Sequence, residues 1–85
     1  MYCVYIIKSQ KDKKLYLGST NNLKRRLAEH NNKLSFSTKH RGPFNLVYCE
    51  VYKAESDARN REHNLKLRRN AYSQLKRRIS ASLQS

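Results

Sequence analysis

Apolar residues along this chain recur with two different periods, and the changes of period mark its elements. From Tyr2 to Ser9 the run is β-branched and aromatic, with Tyr2, Val4 and Ile6 alternating against Cys3, Tyr5 and Ile7. Both sets are apolar, which predicts a strand covered on both faces. The polar stretch Gln10–Lys14 then bridges to a second short strand, Leu15–Ser19, so a hairpin is expected. The period next lengthens: Leu23, Arg26, Leu27 and His30 fall at i, i+3, i+4 and i+7 of a helix that Thr20, Asn21 or Asn22 can cap. Residues 32–43 read as an exposed loop, and Phe44–Tyr52 as a third strand with Leu46, Tyr48 and Tyr52 alternating against Val47, Cys49 and Val51. Ser56 or Asp57 can cap a second helix reaching about Leu67. Asn70 can cap a third, along which Tyr72, Leu75, Ile79 and Leu83 keep helical spacing. The expected architecture is α+β: a small, mainly antiparallel three-stranded sheet flanked by helices, in the order β-β-α-β-α-α. Eighty-five residues predict one domain, 1–85, with its core over about 2–79 and a tail over 80–85.

Charge sharpens this picture. Nineteen Lys and Arg oppose six Asp and Glu, a formal net charge of +13. From Ala58 onward eight basic residues stand against one acid, Glu62. Such a field repels itself unless an anionic partner offsets it, which points to nucleic acid, an acidic protein or an anionic surface. No apolar run approaches the roughly 20 residues of a spanning helix, and the start of the chain lacks a basic segment before an apolar one. No membrane association and a cytoplasmic location are therefore expected. Cys3 and Cys49 fall in the first and third strands as reduced core thiols, and their spacing from the histidines does not suit zinc.

The helical stripe holds an oddity that charge alone does not explain: an inward-leaning face carries Arg26 and His30, which suits a cleft better than a core. Two tyrosines, Tyr5 and Tyr16, sit near the middle of the hairpin strands and are expected side by side. Gly18 follows and permits close approach of a phosphate. The ordered series Cys3-Val4-Tyr5, Tyr16-Leu17-Gly18, Asn22-Leu23-Lys24-Arg25-Arg26-Leu27 with His30, and Arg61-Glu62-His63-Asn64-Leu65-Lys66 resembles the GIY-YIG nuclease pattern over about residues 2–79. Cys3-Val4 departs from Gly-Ile and Leu17 from Ile, but neither change removes a reacting atom.

This resemblance implies a divalent-metal-dependent endonuclease hydrolysing phosphodiester bonds, with DNA as the expected substrate in repair or structure processing. It implies that Tyr5 and Tyr16 flank the scissile phosphate and that one of them helps activate water. Arg26 would contact the phosphate, His30 would support proton transfer or positioning, and Glu62 would ligate one Mg2+ or Mn2+ ion. Asn70 stands as a loosely aligned further member. Lys8, Arg26 and the metal are expected to lower a tyrosine pKa. Lys8, Gly18, Lys39, His40, Arg41, Arg68 and Arg69 are the expected nucleic-acid contacts. Target choice would come from a protein partner. Two other readings remain open on charge alone, a non-catalytic nucleic-acid-binding module and a docking domain for an acidic protein.

Overall fold

The computed structural model describes residues 1–32 and 42–84. Its elements are β1 (Tyr2–Ser9), β2 (Leu15–Thr20), α1 (Leu23–Asn31), β3 (Phe44–Tyr52), α2 (Glu55–Leu67), α3 (Arg69–Arg78) and the short α4 (Ser80–Leu83). The three strands form one antiparallel sheet in the order β2-β1-β3. The expected α+β class and element order are observed, with α4 added within the stretch read as a tail. Among the described residues no helix is long and apolar enough to cross a membrane.

β1 is central and buried on both sides, as its doubly apolar sequence requires. Val4 and Ile6 pack with Leu17, Ala58, Leu65 and Leu75 under α2 and α3. Tyr5 and Ile7 pack with Phe44, Tyr16, Leu23 and Leu27 under α1. The β1–β2 turn is held by Ser9, whose Oγ accepts from the backbone N–H of Lys11 at 3.1 Å and of Asp12 at 3.2 Å. Lys13 adopts φ 64°, and the Asp12 carboxylate beside it accepts from the N–H of Lys14 at 2.9 Å. Of the three candidate caps for the first helix Asn22 is the one used, its side chain accepting from the N–H of Arg25 at 3.0 Å.

Four local expectations are corrected. The alternation in β3 is broken: Ile6 pairs with Tyr48 and Ile7 with Leu46, which leaves Val47 as an extra residue. A bulge of this kind reverses side-chain parity on one side of it. Val47 and Tyr48 therefore both lean on the α2-side cluster, while Leu46 is exposed. Cys49 is exposed too and only Cys3 is a core thiol. α2 starts at Glu55, ahead of both proposed caps. Its N-cap is Ala54, and Glu55 and Asp57 lie instead in the first turn, where their charge favours the helix dipole. α3 starts at Arg69 with Arg68 as its N-cap, so Asn70 lies inside the helix, which stops at Ile79 rather than running on to Leu83.

One carboxylate ties α2 to β3. Glu50 accepts from Arg61 Nε and Nη2, each at 3.0 Å, and from the Tyr48 and Tyr52 hydroxyls, each at 2.6 Å. Burial acts to raise the Glu50 pKa, but the hydrogen bonds from Arg61, Tyr48 and Tyr52 outweigh it and hold the carboxyl below its ordinary value. The stability this provides is present above the ordinary carboxylate pKa and is lost as pH falls through the depressed one. Urea midpoints should therefore fall for the wild-type protein below about pH 4, and fall less steeply for Glu50→Gln. Parallel curves would show that Glu50 is not the group being titrated.

Candidate active site

The α1-facing side of the hairpin gathers four of the expected residues. Tyr5 pairs with Gly18, and Tyr16 with Ile7, so the two tyrosines lie diagonally on one face rather than directly opposite. His30, fully buried on the last turn of α1, fills the space beside them. Its ring centroid is 5.0 Å from that of Tyr16, 5.9 Å from Tyr5 and 6.0 Å from Phe44, each edge to face. Tyr5 Oη and His30 Nε2 are hydrogen-bonded at 2.9 Å. Burial first, then the Arg26 charge, lowers the His30 pKa, which keeps the imidazole neutral at physiological pH.

Arg26 sits one turn earlier on the same helix. It donates through Nη1 to Glu29 Oε1 at 3.0 Å. That bond raises its pKa against the opposing effect of burial, and a hydrogen bond with Tyr5 adds to the rise. Arg25 points elsewhere, its side chain 62% exposed and near Asn21 and Glu29. The expected cationic lowering of a tyrosine pKa is reversed at Tyr5, which is 2% exposed. Burial pushes it up to about 12, and the neighbouring Arg26 offsets only part of the rise.

Tyr5 is enclosed because Gly18 makes room for it. A Cβ on Gly18 would lie 2.5 Å from Tyr5 Oη and 2.7 Å from Cζ. The space above Gly18 is therefore filled by a phenol, not left open for a phosphate. Gly18→Ala should cost about 1–3 kcal/mol by overpacking and displace Tyr5 from His30. A denaturant midpoint equal to wild type would show that the phenol steps aside freely.

Glu62 lies on the other face of the sheet, where α2 packs against the edge strand β2. Its Oε1 accepts from Ser19 Oγ at 2.6 Å, and its Oε2 from Lys66 Nζ at 2.8 Å. Burial acts to raise its pKa, but the Lys66 and Ser19 hydrogen bonds outweigh it and keep the carboxyl ionised below its ordinary value. Glu62 is near enough for its charge to add to the rise at Tyr5. It lies in an open depression with Ser19, Arg59, His63 and Lys66. Ser19 is not among the residues expected from the sequence, where its only signal is its place directly after Gly18.

The other expected contacts are placed elsewhere. Lys8 is three residues from Tyr5 on one strand, so it takes the opposite face, where its Nζ donates to the Leu83 carbonyl of α4. Asn70 lines a separate depression with Arg68, Arg69, Ala71 and Gln74, and none of the tyrosine cluster reaches it. Arg68 and Arg69 are exposed there. Lys39, His40 and Arg41 lie outside the described residues.

Among the described residues no three His, Cys, Asp or Glu side chains gather. Glu62, with the Ser19 hydroxyl beside it and open space in front, offers one carboxylate and hard oxygen donors. That set suits a magnesium-like ion, which keeps several of its waters, and does not suit zinc.

Comparison with known proteins places the chain in a family. A family profile described as the GIY-YIG catalytic domain matches residues 1–79. A UPF0213 protein of Clostridium perfringens is 46% identical over 77 residues, spanning 88% of this chain and 82% of that one. A UPF0213 protein of Staphylococcus haemolyticus is 45% identical over 64 residues, spanning 74% of this chain and 77% of that one. The solution NMR structure of a UPF0213 protein from Bacillus halodurans superposes with a TM-score of 0.53 at 30% identity, covering 88% of this chain and 83% of that one. With that profile spanning residues 1–79, this chain belongs to the GIY-YIG family, a nuclease family that acts on nucleic acid.

Proposed function

We propose that this protein is a divalent-metal-dependent endonuclease that hydrolyses phosphodiester bonds in DNA, with its active site at the β2 edge. The observation that carries the reading is the clustering of Tyr5, Tyr16, Arg26 and His30 on one face of the hairpin, with Glu62 held by Ser19 of the edge strand β2 on the other. The exposed basic residues Arg59, Lys66, Arg68 and Arg69 support a partner with a phosphate backbone.

Within this reading the two tyrosines do different work. Tyr5 is sealed against Gly18 and its pKa is pushed up to about 12, so at neutral pH it is a protonated phenol hydrogen-bonded to the neutral His30. It is a positioning residue. Tyr16 is only half-buried and touches the same histidine ring, so its hydroxyl is the one that meets the attacking water. Arg26 neutralises charge on the phosphoryl oxygens, where a planar guanidinium presents two donors at once. Glu62, with Ser19 orienting it, would hold the metal, which when bound supplies positive charge toward the leaving oxygen.

The test is a cleavage panel of duplex, nicked, branched and single-stranded DNA with matching RNA, in magnesium or manganese, with Glu62→Gln as the blank. Metal-dependent cutting of DNA that the blank lacks is expected. Salt-sensitive binding with no cutting in any metal would replace this reading with a non-catalytic binding module. Cutting confined to RNA would overturn the substrate.

A further inference from the structure

Both oxygens of the Glu62 carboxylate are occupied: Oε1 by the Ser19 hydroxyl and Oε2 by the Lys66 ammonium. The two partners differ in kind. A serine hydroxyl is neutral, sits on a strand and can stay beside a bound cation. A lysine ammonium is itself a cation, and two cations do not share one carboxylate oxygen without mutual repulsion. Lys66 also has the freedom to leave, because its side chain is 51% exposed and rides on a four-carbon stem. Arg59 lines the same depression and acts on Glu62 by charge alone, without bonding to it.

We infer that Lys66 is a placeholder for the divalent cation: it occupies Oε2 of Glu62 when no metal is bound and must withdraw for the metal to bind. The inference rests on the reading of Glu62 as the metal ligand. Lys66 is thus a positioning residue that sets metal affinity by direct competition for one oxygen. Without the Lys66 ammonium, Glu62 keeps Ser19 on Oε1 and presents Oε2 open to the depression.

The test uses Mn2+ alone, with no nucleic acid, and reads the free-ion signal by electron paramagnetic resonance during titration of the whole chain. The variants are Lys66→Met, Lys66→Arg, Arg59→Met and Glu62→Gln. Lys66→Met should bind Mn2+ about two- to fivefold more tightly than wild type, the worth of an exposed ion pair. Arg59→Met removes the same charge from the same depression but no bond to Glu62, since Arg59 donates to Glu55 Oε2 at 3.2 Å, and should change affinity by less. Lys66→Arg restores a cationic donor and should return affinity to wild type or below. If Lys66→Met and Arg59→Met tighten binding equally, the effect is general charge and the placeholder is refuted, while Glu62 as ligand stands. If wild type and Glu62→Gln bind Mn2+ alike, Glu62 is not the ligand and both readings fall.

Discussion

Arg26→Ala should lower DNA cleavage by on the order of 10²–10³-fold, the usual loss when one preorganised donor to a developing oxyanion is removed. The loss should fall on kcat more than on KM, because the guanidinium is worth most where charge grows in the transition state. Arg25→Ala is the matched control. It removes the same charge one residue away, from a side chain that points toward Asn21 and Glu29. It should cost only a few-fold, through weaker phosphate attraction. Equal losses for the two variants would mean that Arg26 contributes only to the basic field. Circular dichroism of both proteins should match wild type, since neither side chain belongs to either apolar cluster.

The largest effect on stability should come from Glu50→Ala. Removing that carboxylate strands the Arg61 guanidinium and two tyrosine hydroxyls that now share it. Breaking a buried ion pair on one side costs about 3–5 kcal/mol, and the partial exposure of Arg61 reduces this to about 2–3 kcal/mol. For a domain of this size the melting temperature should fall by on the order of 10–20 °C. Glu50→Gln retains an acceptor and should fall less. A drop of under about 3 °C for the alanine variant would show that the network is surface decoration.

The sequence is most informative where a residue's neighbours are its own strand or helix. The two-sided apolar run Tyr2–Ser9 is the central strand, and the stripe through Leu23, Leu27 and His30 is the buried face of α1. His30 on that stripe already points to a cleft. Contacts between distant segments are not legible in this way. Ser19 and Glu62 are 43 positions apart, and nothing in either local pattern pairs them. Charge groups Lys8 with the tyrosines, whereas strand parity sends it to the opposite face. The bulge at Val47 leaves no trace because apolar residues occupy both phases of that strand. The direction of the Tyr5 shift is hidden for a related reason: cations nearby can be read from sequence, but the enclosure that outweighs them cannot.

The double burial of β1 also governs how the molecule opens. Tyr5 and Ile7 form the floor of the candidate site, while Val4 and Ile6, on the same backbone, form the roof of the cluster under α2. Both edges of that strand are bonded, to β2 and to β3. Its amides can therefore exchange with solvent only when the sheet comes apart, so their protection should report the global free energy of unfolding. The site rests on the last part of the protein to loosen.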